Sequence, residues 1–451
     1  MLPTRTMSSL LPKLLLATML LGACAPAATP TELGPAATPT ATVPPALTAT
    51  TAPATATPTP TGLGQAELGP VATAPPATPT ELGQAATAGP ATATATATEG
   101  PTLAPAPAAI NPLTGLVVDD PAVLERRPLA IKVAHFPRHV RAAQVGLALA
   151  DNVWEHYAEG GTVRFTAIFL SQAPERIGNV RSARLIDIHL GYAYGAMIVA
   201  SGSSTGTLNR FRDAGLYERV IAEATGYQGC PVLCREAAVT ATTNNLYTNA
   251  PALWDLTTQL GLNERQDLRG FKFAGPAPAG GEAATTAHID FQLGNTITEW
   301  RYNADTNRYA RWIDTPDTTA DAPNLAPHVD TANTEPLTAA NVVVIYASYL
   351  PSNIWEEEGG ARHFSYDVVL TGSGPARLFR DGQMYTLTWE RAETTSGLPR
   401  LVDAAGQLVA FRPGNIWFEV LDPDSPTTFV NGQFYARSRV PDAAALPTAT
   451  P

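Results

Sequence analysis

Cysteine is nearly missing from this chain: three occur in 451 residues, too few thiolates for a four-cysteine zinc cage. Aromatic residues are also scarce, at 7% overall, and from Ala25 to Pro107 there is none. Charge in that stretch is limited to Glu32, Glu67, Glu81 and Glu99. Basic residues are outnumbered 29 to 40, giving a net charge of −11. That deficit argues against nucleic acid as a partner, because displacing its counterions needs a basic face. It equally disfavours direct attraction to an anionic membrane surface. Mononucleotide and hydrolase fingerprints are missing as well. The turn Ser201-Gly202-Ser203-Ser204 fits neither GxSxG nor GxxxxGK[ST], and reads as a helix cap more readily than as a nucleophile or phosphate loop. No metal and no cofactor is expected.

What is present begins with residues 1–24, MLPTRTMSSLLPKLLLATMLLGAC. Arg5 and Lys13 form a basic leader to the apolar run Leu14 to Leu21. That run falls far short of the roughly 20 apolar residues of a membrane-spanning helix, so it reads as a signal peptide. Its end, Leu21-Gly22-Ala23-Cys24, resembles the bacterial lipobox, in which the cysteine is lipidated and becomes the new N-terminus. The alternative is an ordinary secretory signal with a chance cysteine. Two or three acyl chains of the palmitate class on Cys24 would give stable membrane anchoring, which one chain alone does not. The expected location is therefore extracytoplasmic, with the membrane as a partner through that lipid.

Residues 25–107 are Ala, Thr and Pro with little else. Such a segment cannot bury enough apolar surface to offset its chain entropy, and disorder is expected. The imperfect repeats ELGPAAT, ELGPVAT and ELGQAAT at Glu32, Glu67 and Glu81 carry one Leu each, too little for a stacked solenoid. Fully stretched, the linker would reach on the order of 200 Å, enough to hold a domain away from a membrane. Its Thr and Pro content also suits an O-glycosylated stalk.

Order is expected from residue 108 to 275 as an α/β domain. Leu129 to Val133, Val163 to Leu170 and Met197 to Ala200 are apolar runs of strand length. Ala142 to Tyr157 reads as helical at first and extended by Val153. Leu185, Ile188 and Tyr192 stand at helical spacing, and Ser204 or Thr205 can cap a helix from Leu208 to Ala214. Strands alternating with helices imply layered α/β packing.

The segments NPLTGL (Asn111 to Leu116), RRPLAIKV (Arg126 to Val133), EGGTVRFTAIF (Glu159 to Phe169), IGNVRSAR (Ile177 to Arg184) and NNLYT (Asn244 to Thr248) resemble the YerB-like bacterial lipoproteins, whose two domains are of unknown function (family 3048). The likeness extends from Ile110 to about Pro423. It implies a lipid-anchored extracytoplasmic protein and no established reaction. The chain departs from the family pattern at Asn244, where a histidine is usual, and at Ala134-His135, where Asp-Asn is frequent. A family centre built on those groups would be impaired here.

The stretch Gly160 to Arg184 holds the candidate site. Arg164, Arg181 and Arg184, with Ser182, form a guanidinium-rich group in an acidic chain, suited to a carboxylate or phosphate at a helix start. The competing reading is that these arginines pair with Glu155, Glu159, Asp187 or Glu175 and tie elements together. Glu155 and Glu159 are the candidates for acid–base catalysis. Cys230 and Cys234, in GCPVLC, are expected as a structural disulfide, with two free thiols as the alternative.

After Gly275 the run GPAPAGGEAATTA reads as an interdomain linker, and residues 287–440 change to a period of two. Strands are expected at His288 to Leu293, Ile297 to Tyr302, Arg308 to Ile313, Asn341 to Tyr349, Tyr366 to Leu370 and Ile416 to Leu421. Asp381-Gly382 marks a two-residue hairpin, and a turn falls at Ala405-Gly406. The domain is thus mostly antiparallel β, and residues 441–451 form a loose tail. Its Trp300, Trp312, Trp355, Trp389 and Trp417 can serve as core or line a glycan-binding face. Overall the chain reads as α+β. Its function reads as that of an accessory or binding protein with an arginine-lined anion site. The ligand is an envelope polymer or other envelope component carrying phosphate or carboxylate, or a protein partner. The alternatives are a hydrolase or transferase of envelope polymers, and an interaction scaffold.

Overall fold

The computed structural model describes residues 109–237, 244–291, 296–319, 323–358, 361–392 and 396–441. The signal segment with Cys24, the Ala/Thr/Pro stretch and the tail from Asp442 lie outside these residues.

The first half supplies β1 (Leu129–Ala134), β2 (Asn152–Tyr157), β3 (Val163–Phe169), α1 (Ile186–Ala193), β4 (Met197–Ala200), α2 (Thr205–Asp213), β5 (Val220–Ala222) and α3 (Ala250–Gln259). The second half is almost all strand. It comprises β6 (Thr286–Phe291), β7 (Thr296–Asn303), β8 (Arg308–Asp314), β9 (Asn341–Tyr346), β10 (Tyr349–Glu358), β11 (Ala361–Val368), β12 (Gly372–Arg380), β13 (Gln383–Arg391), β14 (Arg400–Val402), β15 (Ile416–Leu421), β16 (Thr427–Val430) and β17 (Gln433–Arg437). The fold is α+β.

An 11-stranded mixed sheet runs through both halves in the order β14-β13-β12-β9-β15-β2-β3-β1-β4-β5. Its seam is the parallel pair β2–β15, with Asn152 opposite Ile416 and His156 opposite Val420. The stretch between the halves joins the sheet too, since Glu282–Ala283 pairs with β13. Both β2 and β15 are buried along their whole length, which matches the covered interior position of a parallel pair. Trp154 of β2 stacks on Phe418 of β15, their ring centroids 4.0 Å apart.

One face of this sheet carries Ala130, Trp154, Ile168, Val343 and Phe418 against Ile186 and Leu190 of α1. The opposite face carries Ile131, Phe165 and Trp417 against a seven-stranded sheet that contains β6, β7, β8, β16 and β17. A three-stranded sheet joins Ile177–Gly178, Leu246–Thr248 and Cys234–Arg235, so the IGNVRSAR and NNLYT segments meet directly. Strands β10 and β11 form a separate two-stranded hairpin.

Local signals account for many boundaries. Ser204 caps α2 by accepting from the Thr207 N–H at 3.2 Å. Asp381 and Gly382 take φ of 52° and 72°, the left-handed pair that a type I′ turn requires. The segment Ala142 to Tyr157 differs from expectation. It forms short 3₁₀ turns at Arg138–Ala143 and Leu147–Leu149, because Gly146 turns left-handed (φ 92°) between them and breaks the α-helical run.

Candidate functional site

Strand alternation decides where the singled-out stretch sends its side chains. Arg164 and Thr166 of β3 lie on the face covered by α1, and Phe165 lies on the other. Register places Thr166 beside Lys132 of β1 and Arg164 beside His156 of β2. Lys132, 1% exposed, spends its three N–H donors on His156 Nε2 (2.7 Å), Thr166 Oγ1 (2.9 Å) and Asp187 Oδ1 (2.9 Å). Burial lowers its pKa to about 8. His156 faces this ammonium with a bare nitrogen and donates through Nδ1 to the Tyr157 carbonyl, so it is neutral. Burial and then the Lys132 charge hold its pKa well below the usual range.

Glu159 sits at the end of this cluster with 0% exposure. Arg184 clasps it with two donors, Nε to Oε2 at 2.6 Å and Nη2 to Oε1, while Arg164 Nη1 lies 3.5 Å from Oε1. Burial alone would raise the Glu159 pKa, but Arg184 and Arg164 outweigh it and hold it below the usual carboxylate range. Asp187 ties the helix start down by accepting from the Arg184 N–H at 2.7 Å. Two of the three sequence-selected arginines are thus buried and charge-compensated.

Glu155 belongs to a different network, on the sheet face toward the seven-stranded sheet. Arg311 of β8 donates to its Oε2 at 2.5 Å and to Thr298 at 2.7 Å, and Arg311 also contacts His328. The neighbour of Glu155 in register is Glu419 of β15, also fully buried, which accepts from Trp300 Nε1 at 2.8 Å. Burial and then the Glu155 charge push the Glu419 pKa well above the carboxylate range. His135 is enclosed between Phe165 and His328. Burial, with Arg141 and Arg311 close by, keeps it uncharged. Glu155 and Glu159 therefore do not share a site.

Solvent reaches the stretch at its end. A polar cleft of about 850 Å³ opens between the start of α2 and the β10–β11 hairpin, and Ser182 and Arg184 line it. Its deep wall is Glu356 of β10, 3% exposed, which accepts from Ser204 Oγ and Thr207 Oγ1, both at 2.7 Å. Arg184 Nη1 approaches the same carboxylate at 3.6 Å. Thus the α2 N-terminus and Arg184, a combination suited to an external anion, receive a carboxylate from the chain itself. Gly206 permits this approach: a Cβ there would lie 2.7 Å from Ile354 Cγ2. At the rim stands Trp355, 50% exposed, its indole stacked on Phe364 with centroids 3.8 Å apart. A register shift between Pro351 and Trp355 alters the strand just before it.

The sequence signature of the protein of unknown function (DUF3048) N-terminal domain matches residues 113–263, and that of its C-terminal domain matches residues 287–418. The chain belongs to the DUF3048 family. "Putative lipoprotein YerB" of Bacillus subtilis (strain 168) is 27% identical over 316 residues, covering 69% of this chain and 86% of that protein. The crystal structure of the YerB protein from Bacillus subtilis matches with a TM-score of 0.55 at 25% identity, over 69% of this chain and 96% of that one.

Against that DUF3048 background, the departures noted in sequence have definite places. Asn244, where the family resemblance implies a histidine, is buried beside IGNVRSAR: its carbonyl accepts from Asn179 Nδ2 at 2.6 Å and its side chain from Arg181 at 3.4 Å. Arg181 is half-buried, and its guanidinium meets Asn244. Cys230 and Cys234 are joined by a disulfide, with Cα atoms 4.5 Å apart. Among the described residues, no helix is long and apolar enough to cross a membrane, and no group of three or more His, Cys, Asp or Glu could hold a metal ion. Sequence reasoning missed Glu356, Arg362 and the hairpin carrying them. The signal was weak: β10 begins Tyr-Leu-Pro-Ser-Asn, with no clean alternation.

Proposed function

We propose that this chain is a lipid-anchored extracytoplasmic protein that binds a component of the cell envelope in the cleft between α2 and the β10–β11 hairpin. Its role is accessory or recruiting. The observation supporting this is that Gly160 to Arg184, the stretch singled out in sequence, ends in the wall of a solvent-open polar cleft. A binding role is favoured over catalysis because Glu155 and Glu159, the carboxylates considered as acid or base, each have 0% exposure and an arginine partner. The lipobox-like segment ending at Cys24 and the kinship with a lipoprotein support the anchor.

Two comparisons test the reading. Cys24→Ala is expected to shift the chain from the membrane to the soluble fraction; unchanged membrane retention counts against the lipid. Asn209→Phe places a ring in the cleft from the exposed side of α2, and is expected to abolish cosedimentation of the full chain with purified wall sacculi. Equal retention of the variant and the wild type would remove the cleft from the account.

A further inference from the structure

Two features of the cleft narrow the chemistry of its occupant. The first is its charge. Arg184 is held by Glu159 and Glu356, and Arg210 on the exposed side of α2 by Asp367, whose Oδ2 it contacts at 3.1 Å. Arg362 stands in register with Glu357 on the hairpin. The cationic groups of the cleft thus each have an acidic neighbour, and what they offer a ligand is hydrogen bonding more than net positive charge. Asn209, Asn353 and Ser203 add amide and hydroxyl groups that both donate and accept. Such a lining is poorly matched to a polyanion and well matched to a neutral polyol.

The second feature is Trp355. One face of its indole is covered by Phe364, a cross-strand neighbour whose ring lies 3.8 Å away and 29° from parallel. Half of the side chain is nevertheless open at the cleft rim. A rigid aromatic plane, backed on one side and free on the other, stacks against a flat ligand at small entropic cost, because only two side-chain torsions need fixing. The axial C–H groups of a pyranose ring supply such a flat apolar face, while its hydroxyls meet the surrounding polar side chains.

We infer that the occupant of the cleft is a neutral glycan, with one sugar ring stacked on Trp355 and its hydroxyl or acetamido groups bonded by Asn353, Asn209 and Arg362. This rests on the cleft reading above and specifies its ligand. The same strand buries Ile354 and Glu356 against α2, which fixes the backbone on either side of Trp355.

The test is calorimetric titration of the full chain in detergent with tetra-N-acetylchitotetraose, a neutral amino-sugar oligomer, using wild type, Trp355→Ala and Trp355→Phe. The expected result is saturable binding by wild type, a loss of at least about tenfold in affinity for the alanine variant, and affinity within a few-fold of wild type for phenylalanine. Unchanged thermal unfolding of both variants confirms that the loss is local. Absence of wild-type binding, or equal binding by Trp355→Ala, overturns the inference. In that event, sacculus binding that remains sensitive to Asn209→Phe leaves the cleft reading standing with a ligand other than a neutral glycan. Binding of inorganic phosphate by wild type, lost on Trp355→Ala or not, with none of the tetrasaccharide, also overturns it and returns the cleft to anions.

Discussion

Replacing Glu159 with glutamine asks whether the arginines of Gly160 to Arg184 are held by the fold or kept for a ligand. Glutamine retains the shape and one acceptor of the side chain, but it removes the charge and turns the second acceptor into an amide donor that faces an arginine N–H. Arg184 and Arg164 would then stand 3% exposed with their shared anion gone. Breaking a buried ion pair by removing one partner costs about 3–5 kcal/mol, because the surviving charge stays desolvated. Glu356, 3.6 Å from Arg184, offers partial compensation, so the lower end, about 3 kcal/mol, is expected. With a urea dependence of about 3 kcal/mol per molar, the unfolding midpoint falls by about 1 M. The assay is equilibrium urea unfolding, repeated with Arg184→Met alone and with Glu159→Gln/Arg184→Met to close a double-mutant cycle. The double variant is expected to be more stable than Glu159→Gln alone, since it no longer buries a guanidinium that has lost its Glu159 carboxylate. A loss below about 1 kcal/mol for Glu159→Gln would refute the reasoning, and would mean that water or an external anion already serves these arginines.

Two further outcomes follow from the same structure. Burial holds His135, His156 and His328 well below the usual imidazole range, so between about pH 6 and pH 5 the unfolded chain binds about three protons there that the native chain refuses. Glu419 acts oppositely, since its raised pKa lets the native chain hold one proton that the unfolded chain releases. The difference is about two protons, so stability should fall by about 2.7 kcal/mol for each pH unit lost in this window, read from urea midpoints across pH; a flat profile would contradict the burial of these groups. Gly206→Ala should cost about 1–3 kcal/mol, because its Cβ would meet Ile354 Cγ2 at 2.7 Å and push the hairpin from α2. Differential scanning calorimetry reads this, and an unchanged melting temperature would show that the hairpin yields freely.

Where a feature depended on a few adjacent residues, it could be read from sequence. Met197–Ala200 is an apolar run with abrupt ends, Ile416–Leu421 is one interrupted only by Glu419, the α2 cap is Ser204, and the Asp381-Gly382 turn declares its own geometry. Two local signals were present and overlooked. Asn431-Gly432, with φ of 51° and 75°, joins β16 to β17 as a two-residue hairpin, and Asn249 ahead of Pro251 caps α3. Non-local pairing was beyond reach. Nothing in Asn152 to Tyr157 announces that its parallel neighbour is Ile416–Leu421, so the seam joining both halves in one sheet emerges only from the structure. The same limit governs the site. The sequence selects Arg164, Arg181 and Arg184 as a charged group and leaves Glu155, Glu159, Asp187 and Glu175 as possible partners, yet the number of charges cancelled depends on which side chains meet. The carboxylate against α2 comes from Glu356, on a hairpin far along the chain. Likewise, five tryptophans of the second half look alike in sequence, and burial separates Trp300 (0%) and Trp417 (1%), which pack as core, from Trp355 at 50%.

The most direct measurement of the central claim is photo-crosslinking in intact cells, with a photoreactive amino acid at Asn353 in the cleft and, separately, at Tyr435, an exposed residue outside it. Adducts to wall glycan from position 353 and none from position 435 are the predicted result. Equal labelling from both positions, or adducts from position 435 alone, would contradict the assignment of the cleft as the binding site.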